Sequence, residues 1–124
     1  RKEAAYGDSR FDLLLEQGSR RCYVETKSCT LVRDGLALFP DAITARGARH
    51  MRGLAEAKRS GHGAVAIFVV QREDAERFSP EDDTDPDFGR ALREAVRSGV
   101  EAYAYRCRVT RREVTLAKEI PVCL

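Results

Sequence analysis

Arg10-Phe-Asp-Leu-Leu-Leu-Glu16, then Gln17-Gly18-Ser19, then Arg21-Cys-Tyr-Val-Glu-Thr-Lys-Ser28: this stretch decides the fold. Both flanks are rich in apolar and aromatic residues, and the link between them is turn material, so they read as an antiparallel hairpin. A hairpin dictates which side chains meet. A two-residue turn at Gln17-Gly18 puts Asp12 opposite Tyr23 and diagonal to Glu25; a four-residue turn puts Asp12 directly opposite Glu25. In both registers alternation places Asp12, Glu25 and Lys27 on one face. Two carboxylates that close repel one another, and a hard divalent ion with its preference for oxygen ligands relieves that.

Downstream, Asp34-Gly35 is a turn signal and Leu36-Ala-Leu-Phe39 a third strand, ended by Pro40-Asp41. Thr44 suits the N-cap of a helix reaching to about Ser60, with Gly61 as its stop. Its apolar positions, Met51, Leu54 and Ala55, are few, and Gly47 and Gly53 weaken it. Arg46, Arg49, His50 and Arg52 give it a basic face, with His50 expected at the surface. Ala64-Val-Ala-Ile-Phe-Val-Val70 carries no charge and reads as a central strand buried on both faces.

Residues 72–85 read as a charged connection. Its end, Glu81-Asp-Asp-Thr-Asp85, lacks the Gly and terminal Glu of an EF-hand, so it reads as a solvated loop plus a helix cap. Asp85 and Pro86 open the clearest helix, with Phe88, Ala91, Leu92, Ala95 and Val96 on one stripe and Gly99 as the stop. Val100–Val109 returns as a strand, and Val114–Ala117 follows after a turn at Thr110-Arg-Arg-Glu113. Strand, helix, strand across 64–109 implies a parallel pair joined by a right-handed crossover. The fold class is therefore α/β, a mixed β-sheet flanked by helices, without internal repeats.

At 124 residues the chain suits a single domain, 1–124, that buries roughly two-thirds of its unfolded surface. An apolar content of 43% beside 34% charged residues fits a globular protein. No apolar run approaches the ~20 residues of a membrane span. The four cysteines show no Cys-x-x-Cys pair and no clustered histidines, which argues against structural zinc and for reduced thiols packed as small apolar groups in a cytoplasmic protein. The chain opens on Arg1 without a signal-peptide pattern, which points to a fragment preceded by another domain. Residues 1–60 hold twelve Lys/Arg against eight Asp/Glu, a balance of +4, and residues 61–124 ten against twelve, −2. The basic half contains the carboxylate hairpin, an arrangement suited to bringing a polyanion to a metal.

Glu-x-Lys alone is weak evidence in so charged a chain, and Glu56-Ala-Lys58 is a second copy. That copy lies in a helix, where residues two apart do not face each other; Glu25 and Lys27 lie in a strand, where they do, with Asp12 across the hairpin. His62 sits in a Gly-x-Gly turn, and Ser9, Ser28 and Ser60 have no base and orienter around them, so acyl transfer is not indicated. A strand whose solvent face simply carries charges remains the plain alternative.

Tyr6-Gly-Asp-Ser-Arg-Phe-Asp12, Cys22-Tyr-Val-Glu-Thr-Lys-Ser28, Leu38-Phe-Pro-Asp-Ala42, Arg46-Gly47 with His50, Phe68-Val-Val-Gln-Arg72, Asp85-Pro-Asp-Phe88 and Ala104-Tyr-Arg-Cys107 together resemble the sugar fermentation stimulation protein A family. The resemblance implies a restriction-endonuclease-like PD-(D/E)xK core and a missing N-terminal OB-like domain implicated in DNA binding. It implies a link to regulation of sugar (maltose) utilisation genes and a role as a DNA/RNA nuclease. Carried over by motif, Asp12, Glu25 and Lys27 take the catalytic positions. Asp12, Glu25 and the backbone carbonyl of Thr26 hold Mg2+ or Mn2+, and Glu3 stands where the superfamily often adds an acid from a preceding helix. Arg46, Arg49 and Arg52 are expected to meet nucleic acid, DNA or RNA. Ile43 replaces an expected proline, and Thr26 stands where valine is common; neither removes a charge. The expected function is magnesium-dependent phosphodiester hydrolysis with little sequence selectivity. The alternatives are a non-catalytic DNA-binding regulator on the same fold and a module that only supports the missing domain.

Overall fold

The computed structural model describes residues 2–7, 9–110 and 113–124. Along the chain run β1 (Lys2–Tyr6), β2 (Ser9–Gln17), β3 (Arg20–Cys29), β4 (Leu31–Arg33), β5 (Leu36–Phe39), α1 (Ala45–Arg59), β6 (Gly63–Val70), β7 (Arg77–Pro80), α2 (Pro86–Arg97), β8 (Glu101–Val109) and β9 (Val114–Ile120). The strands form a six-stranded sheet in the order β1-β2-β3-β6-β8-β9 and a three-stranded sheet β4-β5-β7. In the larger sheet β3, β6 and β8 are mutually parallel, with antiparallel strands at either side, so the expected mixed sheet is observed. Asp8 and the Arg111-Arg112 part of the expected turn lie outside the described residues.

Phe68 on β6 anchors the core. Its ring stacks on Phe78 of β7 at 4.2 Å between centroids and meets Phe39 of β5 and Phe88 of α2 at 5.8 and 6.3 Å. The smaller sheet and α2 thus pack on the same side of the large sheet, and α1 lies across β2, β3 and β6. On β6 only Ala64, Ala66, Phe68 and Val70 are buried, while Val65, Ile67 and Val69 are half-buried. The strand is therefore covered on one face rather than on both, because the packing elements share the Phe68 side.

Thr44 caps α1 by accepting the Gly47 N–H at 2.9 Å, and Asp85 caps α2 by accepting the Phe88 N–H at 3.0 Å, both as expected. Asp85 does more: its other oxygen accepts the N–H of Thr44 at 2.8 Å. The acidic stretch is a solvated turn only in its middle, where Asp82 and Asp83 are exposed. Glu81 and Asp85 are buried, Arg33 pairs with Glu81 at 3.2 Å, and Asp82 pairs with Arg93 at 2.8 Å. The two buried carboxylates each have a backbone or guanidinium partner, which is what permits burial.

Strands β1 and β7 were not anticipated. Lys2-Glu-Ala-Ala-Tyr6 lacks the β-branched residues that mark a strand, and Arg77-Phe-Ser-Pro80 is embedded in a charged segment. Glu3 consequently lies on a strand rather than on a helix preceding the hairpin. Cys29 and Cys107 are buried, Cys22 is half-buried and Cys123 exposed, all as free thiols. Burial pushes the Cys29 thiol up to about 11, in keeping with a packing role. No helix among the described residues is long and apolar enough to cross a membrane.

Candidate metal centre

The hairpin turns at Gly18-Ser19, with Gly18 at φ +63°, one residue later than Gln17-Gly18. Its ladder runs from Gln17↔Arg20 to Leu13↔Val24, a register that brings Asp12 level with Glu25, as in the longer-turn alternative. At that point the ladder stops and side chains take over. The Asp12 N–H donates to Glu25 Oε1 at 3.3 Å, and Thr26 donates both its N–H and its hydroxyl to Asp12 Oδ2, each at 2.8 Å. Buried Phe11 and Leu14 are three residues apart and share one core, so strict alternation slips across Asp12-Leu13. Direct hydrogen bonding, not parity alone, brings Asp12 to Glu25. Glu3 lies across from Asp12, between the pairs Lys2↔Leu13 and Ala4↔Phe11, and has φ +53°; the two strands distort together there.

Glu25 and Lys27 project from β3 toward α1 and meet His50. Glu25 Oε2 lies 2.8 Å from Lys27 Nζ and 2.5 Å from His50 Nδ1, and Lys27 Nζ is 2.9 Å from that same nitrogen. The ring of His50 also stands edge-on to Phe11, 6.2 Å between centroids. Glu25 is only 2% exposed and His50 4%. His50 is therefore not the surface residue expected. Burial, then the Lys27 charge, hold its imidazole below its ordinary pKa; Glu25 opposes this and Arg46 adds to it. Burial alone would raise the Asp12 carboxyl, but the Thr26 N–H and hydroxyl, Glu25 and the Lys27 charge more than reverse that, leaving it below its ordinary value.

Asp12 and Glu25 are all-oxygen donors in adjacent positions, which fits a hard ion such as magnesium that takes one or two carboxylates and keeps several waters. Among the described residues no three His, Cys, Asp or Glu side chains form a complete protein cage, so water and main chain would supply the rest. Thr26, whose carbonyl is the expected further ligand, sits between Glu25 and Lys27 and is tied to Asp12. Arg46 and Arg49 are exposed on α1. Arg52 is already committed: it grips Asp87 of α2 with two bonds, 2.6 and 3.1 Å. A groove of about 840 Å³ lies at the hairpin tip, lined by Leu15, Arg20, Arg21 and His62 among others, and includes none of Asp12, Glu25 or Lys27. The carboxylate pair has the clearer chemistry, since the groove mixes Glu16 with the two arginines.

These features define a mixed α/β domain whose parallel centre and strand fork gather two acids, a lysine and a histidine. The chain matches the sugar fermentation stimulation protein RE domain over residues 1–113. The sugar fermentation stimulation protein homolog of Citrifermentans bemidjiense is 55% identical over 125 residues, covering 100% of this chain and 54% of that protein. That of Geobacter sulfurreducens is 54% identical over 123 residues, covering 98% and 53%. The structure of Pyrococcus furiosus SfsA in complex with Ca2+ superposes with a TM-score of 0.93 at 31% identity, covering 100% of this chain and 54% of that one. The chain belongs to the sugar fermentation stimulation protein family, and it spans about half the length of these relatives.

Proposed function

We propose that this chain is a restriction-endonuclease-like domain that hydrolyses phosphodiester bonds of nucleic acid with magnesium or manganese and little sequence selectivity. One observation carries this: at the β2–β3 fork the Asp12 N–H donates to Glu25 Oε1 while Thr26, the next residue, holds the Asp12 carboxylate, with Lys27 at 2.8 Å from Glu25. The Pyrococcus furiosus relative is in complex with Ca2+, a hard cation of the kind this reading requires. Asp12 and Glu25, with the Thr26 carbonyl, would hold the ion. When bound, it supplies charge neutralisation at phosphorus and acidifies water in its shell. Lys27 offers an ammonium to the developing charge, a contribution that counts most in the transition state. Arg46 and Arg49, exposed on α1, would meet phosphate, and Glu3 is a further acid opposite Asp12.

A non-catalytic nucleic-acid-binding regulator is the second reading, favoured by one fact: Glu25 is already satisfied by Lys27 and His50 without an ion. Single-turnover cleavage of labelled DNA and RNA oligonucleotides, with magnesium, manganese or EDTA, separates the two. Metal-dependent cleavage abolished by Glu25→Gln is expected. Salt-sensitive binding without cleavage under any of these conditions leaves the regulator.

A further inference from the structure

We infer that His50 is a positioning residue of the candidate centre, fixing Glu25 so that its Oε1 is turned toward Asp12. This rests on the metal-site reading above and goes beyond it, because His50 donates no ligand and belongs to a different element. Gly47, His50, Met51, Leu54 and Ala55 are all buried, the three- and four-residue spacing of one helix face, so α1 delivers His50 to the sheet by ordinary amphipathic packing. Phe11 holds the ring from the side.

The single nitrogen Nδ1 then touches both partners, Glu25 Oε2 and Lys27 Nζ, at 2.5 and 2.9 Å. Oε2 is thereby held from two directions and the carboxylate cannot rotate without breaking a contact. Its remaining oxygen accepts the Asp12 N–H at the strand fork. Lys27 alone would not achieve this. An ammonium on a flexible four-carbon stem is a point charge without a preferred direction, and it would follow a rotating carboxylate. A ring packed in the core does not follow. Partners that orient a ligating carboxylate in this way typically contribute about 10–100-fold to metal affinity.

The test compares wild type with His50→Leu, His50→Phe and His50→Asn by calorimetric titration with Ca2+ and with Mn2+, after melting each variant in EDTA to establish that it is folded. Phe keeps a ring against Phe11 but no nitrogen; Asn offers a donor and an acceptor close to where Nδ1 lies, without a ring. We expect Leu and Phe to weaken binding about 10–100-fold and Asn to stay within a few-fold of wild type. Binding by His50→Phe as tight as wild type, or by His50→Asn as weak as by His50→Leu, would overturn the assignment and leave His50 a packing residue. Wild type that takes up neither ion sinks the metal-site reading first, and the role of His50 with it.

Discussion

Thr26 donates twice to a single oxygen of Asp12, its main-chain N–H and its hydroxyl each 2.8 Å from Oδ2. These two bonds, with Glu25 and Lys27, overcome the burial that would otherwise raise the Asp12 pKa. A carboxylate depressed in the folded state contributes stability that is present above its unfolded pKa and is lost as pH falls through the folded value. Thr26→Val keeps shape and N–H but loses the hydroxyl, so the Asp12 pKa should rise. The variant should be less stable than wild type at pH 7 and draw level only at a pH below the depressed folded pKa of Asp12, where its carboxyl protonates. Urea unfolding at both pH values, with a carbon-13 titration of Asp12, measures this; a deficit that persists unchanged in acid would point to packing instead.

The three site residues should fail in different ways. Asp12→Asn replaces a charged ligand by a neutral one, so magnesium should raise the melting temperature less than in wild type. Lys27→Met should bind the ion as well or better, because a positive neighbour is gone, yet cleave about 10²–10³-fold more slowly. Melting with and without magnesium, beside single-turnover cleavage, reads both. Full activity in Lys27→Met would remove that lysine from the chemistry.

Nucleic-acid affinity should divide the arginines of α1. Each phosphate contact contributes about 0.9 to the slope of log K against log salt on duplex DNA. Replacing Arg46 and Arg49 together by Gln should therefore flatten the slope by about 1.8. Arg52→Gln should alter it far less, since that guanidinium already grips Asp87. Fluorescence anisotropy across a salt series decides; an equal loss from Arg52 would mean that it releases Asp87 to take phosphate.

Two helical glycines should respond unequally to alanine. A Cβ on Gly53 would stand 2.6 Å from Ser9 Oγ and 3.0 Å from the Phe11 ring, against the core side of β2. Overpacking of about 1–3 kcal/mol, partly offset by the roughly 1 kcal/mol helix preference of Ala, leaves a net loss of up to about 2 kcal/mol. At Gly89 a Cβ would meet the Asp82 carboxylate and the end of Arg93, both flexible and solvent-screened. Losing that pair costs about 0.2–1 kcal/mol, which the gain in helix propensity of about 1 kcal/mol cancels. Urea midpoints should place Gly89→Ala near wild type and Gly53→Ala clearly below it. Equal losses would contradict the distinction.

The elements that are visible in the sequence are those whose signals are local. The hairpin carries its own turn, β6 its uncharged run, and α2 its cap, proline and stripe. The position of the hairpin turn is less visible, since Gln17-Gly18 and Gly18-Ser19 are both good turn pairs. His50 illustrates a signal present but outweighed: it falls within the Gly47–Ala55 stripe of α1, but three arginines nearby make that helix read as a basic surface. The buried state of Glu81 and Asp85 depends on Arg33 and Thr44, tens of residues away, and periodicity carries no trace of such partners. Alternation failed at Asp12 for a related reason, because the slip is made jointly with Glu3 on a strand that composition does not announce.

Asp85 has a consequence for the candidate centre. Its two oxygens receive Phe88 N–H at the start of α2 and the N–H of Thr44, the cap of α1. Helix α1 has no acidic residue in its own first turn, where Arg46 stands instead. One borrowed anion thus faces the positive ends of two macrodipoles. The helix that carries His50 is seated by a residue encoded forty-one positions beyond its cap. A substitution at Asp85, though it touches neither Glu25 nor Lys27, should therefore register at both.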